Sequence, residues 1–290
     1  MRILLIRHGE SIDNVAGLYA GSRDSHLTAH GVLQIQRLGA HIAKRDSSIG
    51  PIEHIFTSNL RRAYQTAEAI AEALFEARKS LSSHTSVIPT SLEVPRLVEL
   101  REKDYGSSEG KKYGVKTAGN NSRLVPSDSE THESMRARVD RFLDTHLKPI
   151  VETRVSEDIT VIVVAHGIIL GVLLKALLDQ FPSPPAPTGS KGVPPELAAW
   201  SNTGVLQAKL ELGNDASTSD SSKTPNGSKV TTDLRSSAES RSKVSHMTIE
   251  FTNNLDHLGG LKKTKGGIGS AKFDTRQRTM DSFFGPSKKR

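Results

Sequence analysis

Two short aliphatic runs in this chain end in the same way. Residues 2–6 (RILLI) lead into Arg7-His8-Gly9, and residues 159–164 (ITVIVV) lead into Ala165-His166-Gly167. Apart from Arg2 and Thr160 near their starts, both runs are apolar on both faces, which is how a parallel strand covered on both sides reads. In an open α/β sheet, ligands bind beyond the carboxyl ends of such strands. Both imidazoles arrive there, each followed by a glycine that lets the backbone pass close to a ligand. A third pair, His30-Gly31, follows Thr28 at a helix start rather than a buried strand, and is a decoy.

The rest of the body alternates helix and strand. Thr28 is the expected N-cap of a helix with Ile35, Leu38 and Ile42 on its inner face. Residues 52–57 (IEHIFT) read as a strand, and Ser58 as the cap of a helix carrying Ala63, Ala67, Ile70 and Leu74 inward. Ser127 and Glu130 suit a capping box before a helix with Met135, Val139, Phe142 and Leu147. Residues 160–178 are apolar enough to suggest a membrane span. They contain His166, Gly167, Gly171 and Lys175, however, and pass from β-branched to leucine-rich, so a buried strand running into a buried helix fits better. The alternation predicts an α/β domain, a three-layer α/β/α sandwich on a mainly parallel sheet.

After the loop FPSPPAPTGSKGVPP come two more strands. Leu206, Ala208, Leu210 and Leu212 share one face of VLQAKLEL, and Met247, Ile249 and Phe251 share one face of SHMTIEF. Hairpin loops usually hold about two to five residues, so the serine-rich stretch between them, about 213–243, reads as a disordered insertion. The expected organisation is a body at 1–258 and a disordered basic tail at 259–290. That tail holds nine lysines and arginines and two aspartates, which accounts for the whole chain's net charge of +7. The body is therefore formally neutral and makes no general case for a polyanion-binding face. There is no cysteine, which excludes disulfides and thiol chemistry. The sequence MRILLIRHGE lacks the apolar region and cleavage site of a signal peptide.

Arg7 stands beside the first histidine, and Arg62 falls in the first turn of a helix, where N–H groups already favour an anion. Two histidines and two arginines suit phosphate. The residues that carry these features extend further. Arg7-His8-Gly9-Glu10-Ser11 with Asn14 resembles the opening signature of the histidine phosphatase superfamily, in its phosphoglycerate-mutase-like branch. Ser58-Asn59-Leu60-Arg61-Arg62-Ala63 with Gln65-Thr66-Ala67 continues the likeness. So do Leu100 to Gly106 with Glu109-Gly110, then Ala165-His166-Gly167, and finally Asn202-Thr203-Gly204-Val205. The resemblance implies that His8 is the nucleophile and becomes phosphorylated. It implies that Arg7, Asn14, Arg62 and His166 hold the phosphoryl oxygens, with Arg62 rather than Arg61 matching the family, and that Glu102 donates the proton.

The chemistry agrees with that cast. Fixed cations stabilise the charge spread over the equatorial oxygens, surrounding positive charge keeps the nucleophilic imidazole neutral, and an alkoxide needs a proton to leave. The scheme requires no metal or cofactor, and no ligand set of recognisable spacing is evident. The segment between Glu102 and His166 is shorter than in cofactor-dependent mutases, which favours a phosphatase over a mutase. Gly106-Ser107-Ser108-Glu109-Gly110 has serine where many phosphatases of the family have an aromatic residue, so the phosphorylated substrate stays open.

One motif falls outside this reading. In QRTMDSFF, Gln277, Met280, Phe283 and Phe284 are spaced so that one tight helical turn projects the last three to one side. Gly285-Pro286 then stops the turn. This resembles the PCNA-interacting peptide, or PIP box, that docks on the sliding clamp. The resemblance implies a clamp partner and nuclear residence, with Lys288-Lys289-Arg290 suited to import. It leaves two roles open: a clamp-tethered phosphatase, or an inactive adaptor that recognises a phosphorylated ligand.

Overall fold

The computed structural model describes residues 1–82, 91–113, 128–182, 200–212 and 244–262. The two aliphatic runs form strands β1 (Arg2–Arg7) and β4 (Thr160–Ala165). Between them come α1 (Ile12–Ala16), α2 (Ala29–Arg45), β2 (Ile52–Ser58), α3 (Arg61–Leu81), β3 (Arg96–Leu97), α4 (His132–Phe142) and α5 (Lys148–Arg154). After them come α6 (Gly167–Gln180), β5 (Val205–Leu212) and β6 (Val244–Asn254). The sheet order is β3-β2-β4-β1-β5-β6. β1, β2, β3 and β4 run parallel, while β5 and β6 are antiparallel additions at one edge.

The sheet is covered on both faces, which is why residues 3–6 of β1 and 161–165 of β4 are apolar. Ile3, Leu5, Val161 and Val163 point to one layer, where α4 contributes Met135, Val139 and Phe142 and α6 contributes Ile169, Leu170, Leu173 and Leu177. Leu4, Ile6, Ile162 and Val164 point to the other, against Leu38 and Ile42 of α2 and Ile70 and Leu74 of α3. This is the expected three-layer arrangement.

Three local expectations are corrected. Ser58 is not a helix cap but the last residue of β2. Its Oγ accepts the Leu60 N–H at 3.2 Å, and Leu60 precedes α3 without a side-chain cap. Thr131, not a capping box built on Glu130, starts α4; its side chain accepts from the Ser134 N–H. Glu130 is instead drawn to Arg138. Phe251 does not share the face of Met247 and Ile249. The pairing of β5 with β6 shifts between Gln207 and Ala208, so one extra residue turns Phe251 to the opposite layer, under the Arg45 guanidinium at 5.5 Å. The expected insertion at 213–243 lies outside the described residues, as does the tail beyond residue 262.

The α2–α3 layer packs closely because Gly39 has no side chain. A Cβ there would lie 2.5 Å from the carbonyl oxygen of Ala69, a backbone atom that cannot swing aside. Gly39→Ala is therefore expected to destabilise the fold by about 1–3 kcal/mol, despite the helix propensity alanine brings. Equilibrium unfolding in denaturant checks this; a stabilised variant would contradict the packing described.

Candidate active site

The register of β1 on β4 pairs Arg7 with Ala165, so the next residues, His8 and His166, leave the sheet side by side. The His8 N–H donates to the Ala165 carbonyl at 3.0 Å, and the two imidazole centroids stand 5.0 Å apart. His8 is 2% exposed and His166 fully buried. The Nδ1 of His8 lies 2.6 Å from its neighbour's carbonyl, on Gly9. A carbonyl only accepts, so Nδ1 carries the proton and Nε2 keeps its lone pair.

Arg62, on the first turn of α3, meets that lone pair: its Nε donates to His8 Nε2 at 3.3 Å. The rest of the guanidinium is fixed by carbonyls, with Nη1 on Arg23 at 2.6 Å and Nη2 on Ala20 at 2.9 Å and Gly21 at 3.1 Å. The loop bearing these carbonyls is pinned by Glu109, whose carboxylate accepts the N–H groups of Gly21, Ser22 and Tyr105. Gly21 is needed where the walls touch; a Cβ there would lie 1.7 Å from the Lys103 carbonyl oxygen. Thr66, one turn along α3, accepts the Gly9 N–H at 3.1 Å and donates to the Arg62 carbonyl. Arg61 faces away, toward Asp24 and His26.

Arg7 donates through Nη1 to the Trp200 carbonyl at 2.6 Å. Its Nε, like both ring nitrogens of His166, is buried without a hydrogen-bond partner among the described residues. The Oδ1 of Asn14 accepts from the Ser11 N–H and from Asn202 Nδ2, which leaves its own amide nitrogen for other contacts. Glu102 sits at the start of α6, where Oε2 accepts the Ile168 N–H at 3.1 Å and Oε1 accepts those of Ile169 and Lys103. From the α-carbon of Gly167 a Cβ would point at both Arg7 Nε, 3.9 Å away, and Glu102 Oε2, 4.0 Å away. The six body residues singled out in the sequence thus gather at one end of the parallel strands.

Burial, with the Arg62 and Arg7 charges second, holds the pKa of His8 well below its ordinary value. The same causes, joined by His8 itself, act on His166. Burial also lowers Arg62, to about 10, which leaves it cationic at neutral pH. The site therefore combines two neutral imidazoles, two guanidinium ions and the carboxyl group of Glu102.

Arg138 was missed by the sequence reading. Its Nη1 donates to the carbonyls of Glu99 and Arg101, both at 2.6 Å, and its Nη2 to that of Glu102 at 3.3 Å. Glu130, which pairs with it, accepts the Asp104 N–H. Together they clamp the segment that carries Glu102. The signal was available: Arg138 is a charged residue on the apolar face of α4, beside Met135 and Val139.

The histidine phosphatase superfamily (branch 1) profile matches residues 3–188, and the chain belongs to that family. A Schizosaccharomyces pombe protein named as a probable phosphatase is 28% identical over 284 residues, covering 97% of this chain and 78% of that one. The adenosylcobalamin/alpha-ribazole phosphatase of Salmonella typhi is 28% identical over 61% of this chain and 80% of its own length. A 2,3-bisphosphoglycerate-dependent phosphoglycerate mutase of Methylorubrum populi is 29% identical over 60% of this chain and 78% of its own. Among solved structures, a mycobacterial glucosyl-3-phosphoglycerate phosphatase shares the fold, with a TM-score of 0.53 at 23% identity over 72% of this chain and 91% of that one.

The depressed histidines set a direction for stability against pH. The unfolded chain takes up protons near the ordinary value of 6.5 that His8 and His166 refuse when folded, and His257, lowered to about 4 by burial, refuses them too. Stability is then complete above that value and lost as pH falls below it, each group contributing at most about 1.4 kcal/mol per pH unit. Unfolding free energies measured between about pH 7 and pH 5 are expected to fall. An unchanged value across that range would mean that the three rings titrate normally.

Proposed function

We propose that this protein is a phosphomonoester hydrolase that works through a phosphohistidine on His8. The observation that carries the reading is a buried neutral imidazole whose unprotonated Nε2 accepts from Arg62, beside nitrogens on Arg7 and His166 that have no partner among the described residues. Phosphoryl oxygens bound among them would meet the usual requirement that buried polar atoms be hydrogen-bonded.

In this mechanism His8 Nε2 attacks phosphorus as the ester P–O bond breaks. Arg62 Nε moves its hydrogen bond from the ring to a phosphoryl oxygen, and Arg7, Asn14 and His166 take the others. Glu102, in its carboxylic acid form when the ester binds, gives its proton to the departing alkoxide, then removes one from the water that attacks the N–P bond, returning protonated Glu102, free His8 and inorganic phosphate. Three N–H contacts fix the Glu102 carboxyl group and leave a lone pair of Oε2 for that proton. The two arginines do the electrostatic work, so the scheme assigns no step to a metal or cofactor.

His8→Ala is expected to abolish hydrolysis of p-nitrophenyl phosphate, and labelled ester should leave acid-labile phosphate on residue 8 of the wild type. Glu102→Gln should lower kcat by about 10²–10⁴ with little change in inhibition by inorganic phosphate. Equal damage to both would make Glu102 a binding residue. Wild-type protein without turnover would favour an adaptor that binds a phosphorylated ligand. Phosphoglycerate interconversion faster than phosphate release would make it a mutase, as some of its relatives are named.

The tail carries a second part of the proposal. Gln277, Met280, Phe283 and Phe284, which lie outside the described residues, match the PIP-box pattern in a basic segment suited to an acidic clamp surface. We read the enzyme as tethered by them to PCNA, and so nuclear. The double substitution Phe283→Ala/Phe284→Ala is expected to abolish retention on immobilised PCNA while p-nitrophenyl phosphate hydrolysis is unaffected. Undiminished retention would remove the tether from the account.

A further inference from the structure

Thr203 and Asn253 are the two non-glycine residues with positive φ among the described residues, at 58° and 47°. For a β-branched residue such as Thr203 this conformation costs energy and persists only where surrounding contacts impose it. The two residues lie close together. The Oδ1 of Asn253 accepts the Ser201 N–H at 2.8 Å, and its Nδ2 donates to Ser201 Oγ at 3.1 Å. A Cβ on Gly204 would lie 2.2 Å from the same Oδ1.

Residues 200–204, held in this way, are bound to the backbone of the nucleophile. The Thr203 N–H donates to the carbonyls of Arg7 at 3.0 Å and His8 at 3.2 Å, and the Arg7 N–H donates to the carbonyl of Gly204 at 3.2 Å. Asn202 Nδ2 reaches the His8 carbonyl at 3.1 Å and Asn14 at 3.0 Å. Trp200 supplies the carbonyl that receives the Arg7 guanidinium.

A second contact holds Thr203 from behind. Its hydroxyl donates to the Asn202 carbonyl at 2.7 Å and so has lone pairs to offer; His257 Nε2 lies 2.9 Å from it and donates. His257 is buried, and a pKa near 4 keeps it neutral, with its proton on the nitrogen that Thr203 needs. Its Nδ1 has no partner among the described residues, where Thr203 alone receives its hydrogen bond. Both His257 and Asn253 lie beyond residues 3–188, where the family profile matches.

We propose that Asn253 and His257 are positioning residues for phosphoryl transfer. They hold residues 200–204 in a strained backbone conformation, and that segment in turn fixes Arg7 and His8. Neither touches substrate. The proposal rests on His8 and Arg7 acting as described under Proposed function, and its test includes a readout that does not depend on turnover.

The test compares the full chain with His257→Phe, which keeps a ring and removes the donor, and His257→Gln, which restores one. It adds Asn253→Gly, which accepts positive φ without strain but removes both side-chain contacts, and so remains informative if the phenylalanine variant fails to fold. Hydrolysis of p-nitrophenyl phosphate, inhibition by inorganic phosphate, melting temperature and the nitrogen-15 resonances of the His8 ring are measured for each. Expected are a kcat lower by about 10- to 100-fold in His257→Phe and Asn253→Gly, a much smaller change in KM, a shifted or broadened His8 Nδ1 signal, and substantial recovery in His257→Gln. Unchanged kcat and an unchanged His8 signal in folded Asn253→Gly would overturn the proposal, as would losses no greater than the fraction unfolded. Should the wild type lack turnover, the His8 signal alone decides: displaced in the variants, positioning stands; identical, it falls.

Discussion

Everything at the site follows from the parallel pairing of two apolar strands in one register. Arg7 lies opposite Ala165. Shift that pairing by one residue and each side chain changes face, so that Leu4 and Ile6 would meet the α4–α6 layer. The double-sided core therefore fixes the register, and the register fixes the separation of the two imidazoles. Apolar packing that has no chemical role thus sets the distance between the groups that do.

The arrangement is costly to fold. Two guanidinium groups and two imidazoles share a volume from which water is largely excluded, and the cations lower the proton affinity of both rings. Carbonyls meet most of the Arg62 donors, which is how a buried cation can be held without a dedicated carboxylate. Among the described residues, nitrogens of Arg7 and His166 are left unmatched. Such unmet demand, like the positive φ of Thr203, is tolerated where a rigid surround over-determines it.

Strand identity, helix identity and the placement of His8 and His166 at the ends of two buried strands were legible because they rest on local rules. The aliphatic runs, the Thr28 cap and the stripes of α2 and α3 all lie within a few residues of one another in sequence. Features that rest on distant partners were not. Glu130 looked like a cap because a glutamate shortly before a helix suits that role; its partner Arg138, two turns into α4, could be recognised only as a charge on an apolar face. Phe251 was assigned to the wrong face because strict alternation cannot register a bulge. Glu102 was recognisable through family likeness alone, since its neighbours are charged as well. Its fixed place depends on α6, which starts 65 residues later in the sequence.

The charge distribution completes the physical picture. With the excess positive charge confined to the tail, a formally neutral body does little to draw anions from a distance, since steering depends on the summed field. In the proposed mechanism, selection for phosphate then comes at contact, from guanidinium groups whose charge is felt strongly because burial lowers the local dielectric. Those interactions are screened less by salt than exposed ones. The same burial makes orientation matter more than charge count: a guanidinium turned slightly away from its oxygen has no bulk water to compensate. That places the burden on whatever holds Arg7 and Arg62 in orientation. For Arg62 it is the loop pinned by Glu109, inside the region shared with the family. For Arg7 it is the segment after α6, braced by the antiparallel edge of the sheet, where the family profile no longer reaches.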